Sequence, residues 1–371
     1  MTTPRTNEFA TPENQKFVRP VIAFLIVTVP AAIYMIVGRV GLPDKYTFDS
    51  KKIEAIAKGL LYFEDPSFQV VGDLYRVIGL AEFTLLAGLV SCGLYGVLAF
   101  TVVAINSDTK LNATSFFYLG VMAVCNAVYL TQYSKEFFQM PFILVIALII
   151  GRRKVSPIAI AVTIFFYALF FRTYWALTAS TFLFLSIYKN RVGEKWIARI
   201  ASITVLTLAL IPFAGNLIGL DVTTIRANLN AGRLGEDFAV TAISTPFESK
   251  NLAVLGLSQI ILALELIVPL PLFTSGDLQY FLIGVGIASI WGVFLAKGLR
   301  HKNNDPKSQV VVLLVAFLIT NSLFEPDFGS LLRHMVVLFP LMLMAAWNRE
   351  LPHSASTPDQ VSTAKELERK A

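Results

Sequence analysis

The stretch GLAEFTLLAGLVSCGLYGVLAFTVVAI, residues 79–105, contains a single charged side chain. A helix needs about 20 apolar residues to cross the hydrocarbon core of a bilayer, so this run is long enough to span it. Similar apolar runs recur at intervals along the 371-residue chain. The pattern therefore predicts an all-α, polytopic membrane protein.

The overall composition supports this class. Hydrophobic residues make up 55% of the chain and charged residues only 15%, whereas soluble domains are about 25% charged. The formal net charge is +6. Basic cytoplasmic loops explain that charge, so we expect membrane lipids, and no nucleic acid, as partners. Cys92 and Cys125 lie inside apolar runs and indicate no disulfide framework.

About ten membrane spans are predicted from the apolar runs. They are Pro20–Val37, Gly79–Ile105, Thr114–Thr131, Phe138–Ile150, Val155–Phe171, Tyr174–Tyr188, Ile197–Gly219, Gln279–Ala296, Gln309–Phe324 and Met335–Trp347. Short cytoplasmic loops collect Lys and Arg, which places residues 151–154, 188–199 and 296–307, and both termini, in the cytoplasm. If Leu252–Phe273 also crossed, the last basic loop would lie outside. We therefore expect that segment to be re-entrant or interfacial.

The predicted transmembrane domain covers residues 1–350, with periplasmic loops at 38–78 and 220–251. Residues 351–371 are polar and predict a disordered cytoplasmic tail. The first long loop contains a predicted helix with Asp49 or Ser50 as its N-cap. Its apolar residues Ile53, Ile56, Ala57, Leu60 and Leu61 share one face. This helix either lies on the membrane surface or packs as a lid.

The unusual charges outside the cytoplasmic loops all map to the periplasmic face in this topology. They are Asp49, Lys135, Glu136, Arg172, Arg226, Arg233, Glu236, Glu325, Asp327, Arg333 and His334. Ionisable groups near the membrane usually mark a functional site. Simpler explanations remain: Lys135 and Glu136 could form a turn pair, Arg172 could reach lipid phosphates, and Arg333 could pair with Glu325 and Asp327.

Several arginines on one face suit a phosphate or pyrophosphate, because a guanidinium binds such groups through paired hydrogen bonds. We expect Arg172, Arg226, Arg233 and Arg333, with Lys135, to form this site. Glu136, Glu236 and Asp49 are further candidates. Metal binding is less supported, because the chain has no His pair or Asp-x-Asp sequence.

The sequence FEPDFGSLLRH, residues 324–334, contains the predicted catalytic residues Glu325, Asp327 and His334. Pro326 predicts that the preceding helix ends at Glu325, and the next helix should begin within a few residues of Asp327. Either carboxylate could accept a proton from a sugar hydroxyl. We favour Glu325, because it lies closer to the end of its span.

Four short motifs resemble the Wzy-type polymerases of bacterial O-antigen and exopolysaccharide. They are SKEFF (134–138), FRTYW (171–175), IRANLNAGR (225–233) and FEPDFGSLLRH. The resemblance implies a GT-C-like glycosyltransferase in the bacterial inner membrane, and we expect it to need no metal and no cofactor. It would join undecaprenyl-pyrophosphate-linked oligosaccharide units, as donor and acceptor, at the periplasmic face. A flippase and a chain-length regulator are the implied protein partners.

Two other functions are compatible with the same residues. A different GT-C glycosyltransferase would use a polyprenyl-phosphate sugar and often has acids in its first outer loop, where Asp49 and the Glu64–Asp65 pair lie. A lipid-linked oligosaccharide flippase or another transporter would place charges along a path through the membrane. The sequence alone does not reveal the sugar, the linkage or the oligomeric state.

Overall fold

The computed structural model describes residues 12–38, 43, 46–106, 110–152, 154–217, 219, 224, 228, 241–247 and 249–347. Secondary structure in these residues is helical apart from one isolated antiparallel bridge, between Ala242 and Asp327. The helices are α1 (Pro12–Ile36), α2 (Phe48–Ala57), α3 (Pro66–Val77), α4 (Thr84–Ile105), α5 (Ala113–Cys125), α6 (Lys135–Ile150), α7 (Pro157–Phe170), α8 (Trp175–Val192), α9 (Trp196–Leu217), α10 (Leu252–Glu265), α11 (Leu270–Phe273), α12 (Leu278–Gly298), α13 (Ser308–Phe324), α14 (Phe328–Val336) and α15 (Phe339–Ala346).

Helix α13 lies in the core of the bundle. It contacts α8, α9, α10 and α15, and 15 of its 17 residues are buried. A helix that is apolar on all sides is normally buried all round. Two of its polar side chains find partners on α8, where Ser186 donates a hydrogen bond to Gln309 and Thr178 donates one to Thr320. These bonds align α8 along α13.

Five described helical segments are long and apolar enough to cross a membrane, so the chain is a multi-pass membrane protein. They are Lys16–Ile36, Thr84–Ile105, Ala113–Leu130, Trp175–Leu217 and Leu278–Gly298. The bent pair of α14 and α15 makes a sixth if it counts as one span. Helix α7 has 14 residues and is about 21 Å long, whereas the hydrocarbon core is about 30 Å thick. Ten spans therefore stay a prediction.

The last apolar run departs from the predicted single span at Met335–Trp347. Helix α14 ends at Val336, α15 begins at Phe339, and the pair is bent by 67°. Pro340 explains the break, because its ring clashes with the carbonyl group four residues earlier, at Val336. That carbonyl accepts a hydrogen bond from the Tyr95 hydroxyl at 2.6 Å, so the buried oxygen has a partner.

The ambiguous stretch Leu252–Phe273 forms two helices, α10 and α11, with a break at residues 266–269. Pro269 and Pro271 account for this interruption, as expected. Helix α11 packs on α12 beside Gly284, where an added Cβ would lie 3.0 Å from Phe273. Gly284 is about 9 Å from the start of α12. A re-entrant path for this segment stays a prediction.

Helix α2 is the helix predicted in the first long loop. It begins at Phe48, and its N-cap is Thr47 rather than the predicted Asp49 or Ser50. We call α2, α3 and the residues between them (48–77) the α2–α3 hairpin, because the two helices pack against each other.

The apolar face of α2 is only partly as predicted. Ile53, Ile56 and Ala57 are buried, but Leu60 and Leu61 are exposed because the helix ends at Ala57. Ile53 and Ala57 belong to the main hydrophobic core. This packing favours the lid over a helix that only lies on the membrane surface.

Contacts between loops define one end of the bundle. Trp196 Nε1 donates a hydrogen bond to the carbonyl of His301, and His301 Nε2 donates one to the carbonyl of Ala345. Trp347 Nε1 donates to the carbonyl of Lys110. Trp196 and His301 belong to segments that the charge pattern predicts to be cytoplasmic, and they lie together at the C-terminal end of α15.

Candidate functional site

A cavity of about 540 Å³ lies between the α2–α3 hairpin, the α7–α8 turn, the starts of α6 and α12, and the α13–α14 corner. We call it the charged cavity. Its ionisable lining residues, tyrosines aside, are Asp49, Lys52, Asp65, Lys135, Arg172, Asp327, Arg333 and His334. Its aromatic lining residues include Tyr46, Phe48, Phe68, Tyr129, Tyr174, Tyr280, Phe324 and Phe328. Apolar walls with a few convergent polar groups are typical of ligand-binding cavities.

Glu136 joins two arginines beside this cavity. It lies in the first turn of α6, which Ser134 caps by accepting a hydrogen bond from the backbone N–H of Phe137. Glu136 Oε1 accepts a hydrogen bond from Arg172 Nη2 at 2.9 Å and lies 3.6 Å from Arg333 Nε. The side chains of Glu136 and Arg172 are only 2% and 6% exposed. Because an unpaired buried charge is costly, this one carboxylate fixes two guanidinium groups.

The turn between α7 and α8 holds Arg172 on its second side. Arg172 Nη1 donates a hydrogen bond to the Tyr174 hydroxyl at 3.0 Å, and the Tyr174 ring stacks on Phe324 at the end of α13. A guanidinium carries five N–H donors, so these two bonds leave donors for a ligand. Sequence reasoning missed Tyr174 as a site residue.

Arg333 of α14 faces the α2–α3 hairpin. Its Nη1 donates a hydrogen bond to Asp49 Oδ2, an ion pair between residues 284 positions apart. Burial is the largest single influence on Asp49 and opposes its ionisation, but Arg333, Lys135 and Lys52 together lower the pKa of that carboxyl. The alternative that Arg333 pairs with Glu325 and Asp327 is therefore wrong.

Residues 325–327 form the corner between α13 and α14. Glu325 is extended and ends α13 before Pro326, as predicted. Asp327 begins α14 as its N-cap, because its Oδ1 accepts a hydrogen bond from the backbone N–H of Ser330 at 2.7 Å. The Pro326 carbonyl accepts a hydrogen bond from the backbone N–H of Ile243, which ties residues 242–243 to this corner.

His334 and Glu325 form a buried pair at the same corner. His334 Nδ1 lies 2.8 Å from Glu325 Oε2. His334 lines the cavity, whereas Glu325 is 1% exposed and is not part of the lining. The geometry therefore favours His334 over Glu325 as the group that meets a substrate. With Nδ1–H donated to the carboxylate, Nε2 is the ring nitrogen that can accept a proton.

Lys135 and Glu136 have separate partners, so the alternative of a turn pair between them is wrong. Lys135 Nζ donates a hydrogen bond to Ser67 Oγ at 2.6 Å, lies 3.9 Å from Asp65 Oδ2, and sits 3.2 Å from the centre of the Phe68 ring. Burial, and then the nearby Arg172 guanidinium, lowers the pKa of Lys135 to about 7. The charge at this edge of the cavity therefore changes near neutral pH.

Some lining residues were not predicted from the sequence. One is Ser67 in α3, although Asp65 followed by Pro66 is a signal for the start of that helix. A π-helical turn at Asn126–Leu130 contributes Tyr129, whose ring meets Tyr46 edge to face. Such turns are frequent at functional sites, but the spacing of apolar residues does not signal them.

Three predicted site residues cannot be compared with the structure. Arg226, Arg233 and Glu236 lie outside the described residues, as does the predicted tail at 351–371. Their contributions stay predictions.

The described residues include no group of three or more His, Cys, Asp or Glu side chains placed to hold a metal ion. No protein-family model, curated protein or solved structure matches the chain. Two guanidinium groups, a lysine and an imidazole–carboxylate pair meet around one cavity. The guanidinium groups and the lysine suit an anionic part of a ligand, and the imidazole suits a part that gives up a proton.

Proposed function

We propose that this chain is a glycosyltransferase of the bacterial inner membrane that joins undecaprenyl-pyrophosphate-linked oligosaccharide units. The observation that carries the proposal is the pairing of His334 with Glu325 in a cavity that Arg172 and Arg333 also line. Transfer of a sugar from its pyrophosphate requires an anion-binding site beside a group that accepts a proton.

The arginines would bind the donor pyrophosphate. Glu136 holds Arg172 and Arg333 in place, so their remaining N–H donors are preorganised for phosphate oxygens. Lys135 would add a charge at the edge of the cavity while it is protonated. The charged cavity lies at one end of a multi-pass bundle, where the head group of a lipid-linked donor would be accessible.

His334 would act as the base. The acceptor hydroxyl gives its proton to His334 Nε2 as its oxygen attacks C1 of the donor sugar. The bond from C1 to the pyrophosphate oxygen breaks, and the lipid pyrophosphate leaves with the electron pair. Glu325 keeps its hydrogen bond to Nδ1 and stabilises the imidazolium that forms.

The test uses purified protein in proteoliposomes with a synthetic undecaprenyl-pyrophosphate oligosaccharide, and product length is measured by mass spectrometry. His334→Asn can still donate a hydrogen bond to Glu325 but lacks the basic Nε2. We expect its rate to fall by about 100-fold or more. His301→Asn is the matched control, because His301 lies at the other end of the bundle. Wild-type rates for His334→Asn would contradict the proposal.

One observation favours a second candidate, a glycosyltransferase that uses a polyprenyl-phosphate monosaccharide. Asp49 in the first outer loop lines the cavity and reaches Arg333, as an outer-loop acid in such an enzyme would. Offering both donors to the same proteoliposomes separates the two candidates. Transfer of a single sugar from the monophosphate, without oligosaccharide products, would favour the second.

A transporter is less well supported. Helix α13 runs through the core, and its side chains between residues 308 and 324 carry no charge. The ionisable groups of the cavity gather at one end instead.

A further inference from the structure

The Arg333 guanidinium meets two carboxylates that differ in exposure. The Glu136 side chain is 2% exposed, whereas the Asp49 side chain is 29% exposed. Glu136 also binds Arg172 and belongs to the capped first turn of α6. Asp49 lies in the first turn of α2, where the N-cap residue Thr47 makes no side-chain cap hydrogen bond. Asp49 is therefore the carboxylate that can be released at the lower cost.

The cavity is close to electrically neutral in its described part. Four basic side chains line it, at Lys52, Lys135, Arg172 and Arg333. Three acids line it, at Asp49, Asp65 and Asp327, and Glu136 contacts the two arginines from behind. A ligand with several negative charges gains little from such a balance unless one carboxylate leaves.

Two of the three lining acids are helix N-caps. Asp65 accepts hydrogen bonds from Ser67 at the start of α3, and Asp327 accepts one from Ser330 at the start of α14. Asp49 caps no helix, and its described hydrogen bond goes to Arg333. Releasing Asp49 would leave every described helix cap intact.

We propose that Asp49 is an internal competitor of the anionic ligand. Its carboxylate binds the same guanidinium donors of Arg333 that a phosphate oxygen of the ligand would bind. This inference rests on the proposed pyrophosphate-binding role of the charged cavity. Asp49 pairs with Arg333 in the structure, and the ligand would bind by exchanging with Asp49 on that arginine. Glu136 stays in place in both states and orients the arginines.

The two carboxylates are then expected to have opposite effects on anion binding. Asp49→Asn removes the competitor, and inorganic pyrophosphate should bind about fivefold more tightly, the equivalent of an ion pair of about 1 kcal/mol. Glu136→Gln disorients both arginines and should weaken binding, although it also removes a negative charge. Simple charge counting predicts tighter binding for both variants, so the opposite signs are diagnostic.

The measurement is calorimetric titration of inorganic pyrophosphate into the full chain in lipid nanodiscs. Asp73→Asn is the matched control, because Asp73 lies on the same hairpin and pairs with Arg76 at 3.2 Å instead of Arg333. Asp49→Ala is a second variant in case Asp49→Asn folds poorly, and thermal unfolding checks both. We expect tighter binding for the Asp49 variants alone.

If the wild type binds pyrophosphate clearly and the folded Asp49 variants bind it equally or more weakly, Asp49 is not a competitor. That result would leave the proposed function intact. An equal gain from Asp73→Asn would also overturn the competitor, since the effect would then be one of general charge. Undetectable binding by every protein would overturn both the competitor and the pyrophosphate site on which it rests.

Discussion

Glu136→Gln should destabilise the folded protein, because it removes the charge shared by Arg172 and Arg333 while keeping the side chain's size. Removing one partner of a buried ion pair costs about 3–5 kcal/mol, since the other charge stays buried without compensation. Arg172 is only 7% exposed, and its other described bond goes to a neutral hydroxyl. The glutamine oxygen can still accept a hydrogen bond, which places the expected loss near the lower limit, at about 3 kcal/mol.

A double-mutant cycle isolates the pair. Glu136→Gln, Arg172→Gln and the double variant are compared with the wild type by equilibrium unfolding in mixed micelles. We expect a coupling energy of about 2 kcal/mol or more. The Asp73–Arg76 pair of α3 is the matched control: its side chains are 43% and 49% exposed, so its coupling should stay below about 1 kcal/mol.

A coupling energy for Glu136–Arg172 no larger than that of the exposed control would refute this reasoning. It would mean that other groups compensate Arg172 and that Glu136 does not hold the arginines. Added salt gives a second criterion, because screening should weaken the exposed pair more than the buried one.

Three further predictions concern charge, capping and packing. Lys135 has a pKa of about 7, far below its ordinary value, so it loses its charge as the pH rises through neutrality. Pyrophosphate affinity, measured by calorimetry, should then fall by up to about tenfold per pH unit above 7. Lys135→Arg should flatten this pH dependence, and identical profiles for the wild type and the variant would contradict the prediction. Asp327→Ala should lower the free energy of unfolding by about 1 kcal/mol, because the helix cap is lost. Asp327→Asn can still cap the helix and should keep both stability and product formation. A stable but inactive Asp327→Asn protein would instead identify Asp327 as the base. Gly256→Ala should destabilise by about 1–3 kcal/mol in thermal unfolding, because its Cβ would lie 2.5 Å from the Ala209 carbonyl oxygen, while Gly286→Ala, with open space, should be neutral or slightly stabilising.

Local features of the chain were readable without the structure. The helix end at Glu325 and the cap at Asp327 follow from Pro326 and from the hydrogen-bonding capacity of an aspartate, which act within a few residues. The break after α10 follows from Pro269 in the same way. Pro340 carried an equal signal, and its effect on the last span was overlooked because the apolar run continues through it.

The partners of the charged groups were not readable. The sequence left open whether Arg333 pairs with Glu325 and Asp327, and whether Lys135 pairs with Glu136. In the structure Arg333 reaches Asp49 across 284 positions, and Glu136 turns to Arg172. Neighbours in a helix point about 100° apart, so adjacency in sequence places two side chains on different faces.

The sequence by itself determined that this protein is helical and crosses a membrane several times, and it predicted that its unusual charges share one end. An apolar run fixes the depth of a helix, because each residue's preference for lipid or water acts locally. The rotation of a helix about its axis is not encoded in this way. Helix α13 is apolar nearly all round, so packing against its neighbours sets its rotation and the position of the corner that follows. Tertiary structure alone therefore decided that His334 meets the cavity, that Glu325 lies behind it, and that Asp49 closes on Arg333.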